Sequence, residues 1–376
     1  MPQGKTFWIA LTLPSFVLIQ SQNTKAASHP PQLIQIPDLV TVKAGQLTAP
    51  PAWAVMERLL MKAIEDAAPV YLKRFSRPGG TIYGRGDVDD VYEMFFNWPL
   101  SYAMGADEKL FHWALQEWNA ITRQFTYQHP QIHKEFFANS DWFHISEGNM
   151  AFYDFGVADG TLPENLLRAK RFAGFYMNED ADALNYDPKY RIIRSPFTGS
   201  KGPDLSADVD AIKYRLDPDY GWSTLYPVVK NLESNWSDSP QRRKQIQELF
   251  EKMVMSSDIP VNLAVTGLVT HAFLYTGEEK YKQWVLEYVD AWMDRIRQNQ
   301  GIIPDNLGPT GKIGENRQGQ WWGGFWGWTS RYSIHMIYGA LTVAAECAQL
   351  VSGDARYLNL LRSQIDMLMS HSITRE

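Results

Sequence analysis

The sequence predicts an all-α fold of helical hairpins arranged in two layers. Three observations carry this. Long segments repeat apolar residues at three- and four-residue steps, these half-apolar segments alternate with segments apolar all round, and the links between them alternate between short and long. The composition agrees, with 376 residues, 45% hydrophobic and 21% charged, an ordinary globular balance. A formal charge of −6 argues against a nucleic-acid binder, which needs a basic face to displace phosphate counterions. The single cysteine, Cys347, excludes an intrachain disulfide and a Cys-rich zinc site. Fourteen Trp exceed what packing alone asks of such a chain, so some are expected on a binding surface.

The first 28 residues read as a secretory signal peptide. Lys5 precedes a mostly apolar stretch from Phe7 to Ile19, and Ala26, Ala27 and Ser28 offer a cleavage site. The stretch is too short to span a bilayer, so no stable span is expected after cleavage and the protein is expected to be secreted or periplasmic. A retained anchor is the alternative. Residues 29–50 form an extended leader, and the domain is expected over 51–376.

The expected hairpins pair 51–73 with 88–104, 107–126 with 147–159, 163–178 with about 220–234, 239–256 with 259–275, and 278–298 with 331–351. The clearest outer helix is 278–298, where Tyr281, Trp284, Val285, Tyr288, Val289, Trp292, Met293 and Ile296 make one stripe. Segments 259–275 and 332–351 lack a charged face, as inner helices would. A sixth outer helix, 354–370, has no partner, so the sixth hairpin is expected to be incomplete or the chain a truncated form of a longer one. The long loops 74–87, 127–146, 179–219 and 299–330 all run from outer to inner helices and would emerge on one face, as a binding rim requires.

The junctions repeat a local pattern in MGADEKLFHWALQEW, YTGEEKYKQWVLEYVDAW and VSGDARYLNLLRSQIDML. There glycine ends one helix in a left-handed turn and an acid opens the next, where the helix dipole favours it. The G-[DE]-x-[KR]-Y form at Gly277–Tyr281 and Gly353–Tyr357 resembles the six-hairpin glycosidase superfamily. That resemblance implies an (α/α)6 toroid over roughly 51–370, with the inner-helix N-termini and the preceding loops lining a cavity. Polysaccharide lyases share the architecture.

Three segments fall at that position. Gly80–Glu93 supplies Tyr83, Arg85, Asp87, Asp89, Asp90 and Glu93; Asp90 could equally cap a helix with Glu93 three residues on. Asn139–Asp154 supplies Asp141, Trp142, His144, Glu147, Asn149, Tyr153 and Asp154, with Ser146 a natural N-cap; the alternative has Trp142, Phe143 and Ile145 packing the loop. Gly314–Tyr332 places Trp321, Trp322, Trp326 and Trp328 among glycines, followed by Arg331 and Tyr332. Flat indole faces suit the C–H faces of a sugar. The loop 186–203 adds Lys189, Arg191, Arg194 and Lys201, which match a uronate or sulfated sugar or simply a solvated surface.

The leading expectation is an exported glycoside hydrolase with paired carboxylates, one from Asp87, Asp89 and Asp90 and one from Asp141 and Glu147, with His144 beside them. Tyr83, Arg85, Trp142, Asn149, Arg194, Trp321, Trp322, Trp326, Arg331 and Tyr332 would contact a carbohydrate substrate. The alternatives are a lyase acting on uronate polymers with a His144 or Tyr332 base, and a saccharide-binding toroid without catalysis. No metal or cofactor is called for, and no phosphate loop, nucleophile elbow or H-E-x-x-H pair is present in the sequence.

Overall fold

A computed structural model describes residues 49–84, 87–128, 131–224 and 227–372. The signal segment, nearly all of the leader and Arg85 lie outside the described residues. The described residues from Glu65 onward form one compact unit. The helices are α1 (Ala52–Phe75), α2 (Val88–Glu93), α3 (Trp98–Ala103), α4 (Glu108–Gln128), α5 (Trp142–Ala158), α6 (Pro163–Tyr176), α7 (Val209–Arg215), α8 (Pro227–Lys230), α9 (Pro240–Phe250), α10 (Val265–Thr276), α11 (Glu279–Gln298), α12 (Ser333–Ser352) and α13 (Asn359–Ser370). The strands among the described residues are two small hairpins, β1 (Ile132–His133) with β2 (Phe136–Phe137), and β3 (Tyr186–Asp187) with β4 (Ile192–Ile193).

The class is the one expected, all-α with helical hairpins in two layers. In the inner layer α2 and α3 pack on α5, α5 on the turn 260–264 and α10, and α10 on α12. Helices α4, α6, α11 and α13 back them. The hairpin junctions behave as their chemistry predicts. Gly277 and Gly353 close α10 and α12 at φ +65° and +74°, and the Asp354 carboxylate accepts the Arg356 N–H at 2.9 Å. Among the described residues α12 alone has the length and apolarity of a membrane span, and it packs here against α10, α11 and α13.

The third expected pair is a correction. Among the described residues of 218–234 there is no inner helix, only short turns at Pro218–Tyr220 and Trp222–Thr224 and the one-turn α8. Pro218, Gly221 and Pro227 interrupt the ladder there, and Gly221 stands at φ +85° with Ser330 N 2.5 Å from where a Cβ would be. Helix α6 packs directly against α10 instead. The 88–104 segment is likewise two short helices rather than one.

Three of the long loops gather as expected. Ser140 bridges Thr198, Ser200 N donates to the Phe137 carbonyl at 2.8 Å, and Trp326 N donates to the Tyr220 carbonyl at 3.0 Å. The Phe197 and Phe325 rings meet at 5.0 Å. Beneath them, the buried Asp258 carboxyl accepts bonds from Tyr288 Oη, Asn262 Nδ2 and Ile193 N at 2.9–3.1 Å, and burial pushes it up to about 7. The fourth loop departs. Residues 76–82 fold back as a turn on α4, where Ile82 N donates to Gln124 Oε1 at 2.9 Å.

Most tryptophans serve the core rather than a surface. Trp98, Trp118, Trp142, Trp222, Trp236, Trp284, Trp292 and Trp326 are all buried. Loop stitching depends on close backbone approach at Gly199, where a Cβ would stand 2.3 Å from the Phe137 carbonyl oxygen and 2.6 Å from that of Ala138. Neither oxygen belongs to a flexible side chain. Gly199→Ala is therefore expected to cost about 3 kcal/mol in urea unfolding, the upper end of overpacking effects; a loss under about 0.5 kcal/mol, the size of a neutral surface change, would contradict the packing described.

Candidate functional site

The site is organised by the first turn of α5. Asp141 is its N-cap, in extended backbone at φ −79° and ψ 158°. Its carboxylate accepts the N–H of Phe143 at 3.1 Å and that of His144 at 3.4 Å, and His144 Nδ1 donates to both of its oxygens at 3.0 Å. One short side chain thus closes the helix and holds the imidazole. Burial alone would raise Asp141, but the His144 charge and these hydrogen bonds outweigh it and hold the carboxyl below its usual range. Burial alone would likewise lower His144. The Asp141 charge and hydrogen bond, with Asp89 and Glu147 adding, push it up to about 9, so it is an imidazolium at neutral pH.

Helix α2 lies against this turn. Gly148 leaves room for it, since a Cβ there would stand 2.7 Å from the Phe137 ring and 3.5 Å from Asp89 Cα. Asp89 and Glu93, four residues apart on α2, interact electrostatically with His144. Burial pushes Glu147 up to about 7, Glu93 and Asp89 add to the rise, and His144 opposes it. Burial also raises Asp89 and Glu93; His144 opposes both shifts. Asp154 follows two turns beyond Glu147 on α5, about 10 Å along the axis, and burial pushes it up to about 6. The cluster therefore combines a fixed positive charge, carboxyls that share its field, and one carboxyl that holds a proton near neutrality.

An aromatic wall stands beside it. The Phe143 ring lies 5.1 Å from His144, 5.8 Å from Trp326 and 6.0 Å from His335. Trp326 in turn packs on Tyr220 at 4.6 Å and on Tyr332 at 6.1 Å and is itself buried, so it backs the wall rather than meeting a ligand, a correction to its expected role. Trp322, Tyr332 and His335 are exposed.

The structure thus brings together Asp89, Asp141, His144, Glu147, Trp326 and Tyr332. Asp87 occupies the N-cap position of α2 without a side-chain capping bond, so its carboxylate is not spent there, and Asp90 lies in the first turn rather than at the cap. The cap expected at Ser146 is a correction, because Asp141 opens the helix five residues earlier. Two further corrections follow from that register. Trp142 packs on Tyr176 at 5.3 Å and Asn149 is buried, so neither faces a ligand. Tyr83 lies under the Arg77 guanidinium at 4.6 Å, on the turn that folds towards α4. Arg194 sits 3.8 Å from Asp187, and Arg331 pairs with Asp219 at 2.9 Å. The Trp321 carbonyl is held by Asp305 N at 2.9 Å. Sequence reasoning had Phe143 only as loop packing and did not single out His335 and Tyr220. A helix begun at Asp141 places 143, 147, 150 and 154 on one face and 142, 145, 149 and 152 on another, and that register was the available signal.

Fold and site together define an all-α helical-hairpin protein with a carboxylate–histidine cluster at inner-helix N-termini. The chain belongs to the family described as "Domain of unknown function (DUF8034)", whose model matches residues 41–376. No curated protein matches it by sequence. Among solved structures it is similar to cellobiose 2-epimerase from Spirochaeta thermophila DSM 6192, at 12% identity over 87% of this chain and 88% of that one, with a TM-score of 0.32. It is also similar to cellobiose 2-epimerase from Bacillus thermoamylovorans B4167 (13% identity, 85% and 89% covered, TM-score 0.31) and to a sugar epimerase from a ruminal bacterium (15%, 84% and 88%, 0.30). Likeness at this level assigns neither chemistry nor substrate.

Proposed function

We propose that the protein is an exported carbohydrate-active enzyme and, within that class, a glycoside hydrolase. The observation that carries this is Glu147, a carboxyl that keeps its proton near neutral pH beside Asp89, Glu93 and a fixed imidazolium. Two carboxyls with separated proton affinities are what glycosidic cleavage needs. Glu147 protonates the leaving oxygen. Asp89, which burial raises and the His144 charge counters, is the partner that, as the anion, attacks the anomeric carbon or draws the proton from water. The half-buried Phe143 and the exposed Tyr332, backed by the buried Trp326, offer apolar area to a sugar face and lower the local dielectric. Export rests on the N-terminal signal pattern.

The lyase reading is less favoured, because His144 already carries its proton and is tied to Asp141, which leaves it a poor base. A uronate is likewise less favoured. In the 186–203 loop Arg191 lies 3.5 Å from Glu287, Arg194 faces Asp187, and Lys189 lies over Tyr190. Incubation with a panel of plant, algal and host glycans is expected to yield new reducing ends without an ultraviolet-absorbing unsaturated product. An absorbing product would establish the lyase, and saturable binding without turnover would establish a binding protein.

A further inference from the structure

The Trp-rich loop does not hold its shape through its own side chains. Its organiser is Asp305, a fully buried residue outside the three segments first considered. One carboxylate oxygen accepts the N–H of Gly323 and of Trp328, both at 2.8 Å. The other accepts Gly324 N at 2.8 Å and Asn306 Nδ2 at 3.0 Å. Its own backbone N donates to the Trp321 carbonyl, so the loop is tied at 321, 323, 324 and 328 to one residue. The glycines follow from this. A Cβ at Gly327 would stand 2.1 Å from Asp305 Oδ2, and one at Gly324 2.1 Å from the Asp305 carbonyl oxygen. Trp328 adds a second anchor through its Nε1, which donates to the Ile303 carbonyl at 2.9 Å.

Between these ties Trp326 is held at φ +55°, a conformation that a bulky side chain adopts only when its surroundings impose it. The strained residue is the one whose ring meets Phe143, next to His144. We propose that Asp305 is a positioning residue for ligand binding, which fixes the buried Trp326 behind Phe143 and Tyr332 and so sets that wall beside the α5 cluster before a saccharide arrives. The inference rests on the carbohydrate reading above and adds that the wall is preformed rather than closed by the ligand.

Asp305→Asn tests it with little change in shape. Either orientation of the new amide turns an NH2 group toward donors that the carboxylate now satisfies, Gly323 and Trp328 on one side or Gly324 and Asn306 on the other. On a glycan that the wild type turns over, KM is expected to rise roughly tenfold, the size of about one lost hydrogen bond, with kcat within about threefold and the Glu147-dependent pH limb unmoved. A folded Asp305→Asn enzyme with wild-type KM overturns the proposal, as does one in which kcat falls while KM holds. If Asp305→Asn does not fold, Trp328→Phe removes only the Ile303 anchor; a smaller rise in KM supports the proposal and an unchanged KM overturns it. If the wild type turns over no glycan, that counts against the hydrolase. Acrylamide quenching of tryptophan fluorescence then decides the positioning role: greater quenching in the variant supports it, and wild-type quenching overturns it.

Discussion

Glu147→Gln lowers kcat by about 10²–10⁴-fold, the usual worth of a positioned proton donor, while the circular dichroism spectrum and unfolding midpoint stay near those of the wild type. The wild-type rate falls as pH rises through about 7, where Glu147 loses its proton, and the residual rate of the variant lacks that limb. Stability follows the same linkage with a definite sign. The folded protein binds the Glu147 proton more tightly than the unfolded chain does, so this group makes stability fall with rising pH between 4.5 and about 7. The variant does not titrate there and gains on the wild type across that window. Activity within about threefold of wild type, or an upper limb kept intact in the variant, would remove Glu147 from the chemistry.

Asp141→Asn has the second largest effect, on both stability and charge. Asn still caps a helix, so the first turn of α5 survives. What is lost is the negative partner that holds the His144 proton. The imidazole titrates well below its wild-type value of about 9, since burial then acts with less opposition. Hydrogen bonds to charged groups contribute about 1.5–3 kcal/mol, and with one third of the His144 side chain exposed the lower part of that range is expected. Because the folded His144 pKa lies above its unfolded value, the pair's contribution is fully present below about 6.5 and is lost as pH rises through about 9. The destabilisation of the variant is therefore expected to be large at pH 6 and to shrink by pH 10. Urea unfolding at the two values checks this, and the His144 titration followed by NMR checks the cause. An unchanged His144 titration would show that Asp141 does not set it.

Much of this could be read from the amino-acid order, and the parts that could not have identifiable causes. The stripe in 278–298 and the glycines at 277 and 353 determine local structure by themselves, so α11 and its junctions lie where expected. The departure at 220–234 lies in Pro218, Gly221 and Pro227, which break a helical ladder there. The acids were visible as acids, but which of them is free depends on a cap. Asp141 and Ser146 both suit an N-cap, and only the helix begun at Asp141 sets Phe143 rather than Trp142 beside His144. Asp305 was harder to see. A lone acid in a loop carries no periodic signal, and its role emerges only when residues 18 to 23 positions further on fold back over it.

The proposal that the α2–α5 cluster processes sugar is tested most directly by a crystal structure of Glu147→Gln with an oligosaccharide substrate. The expected density has a sugar ring against Phe143 and Tyr332, with a glycosidic oxygen within hydrogen-bond reach of the amide introduced at position 147 and Asp89 near the anomeric carbon. A saccharide seated instead in the cleft between α4 and α6 lined by Asn119, Arg123 and Arg171, with the Glu147 region untouched, would contradict it.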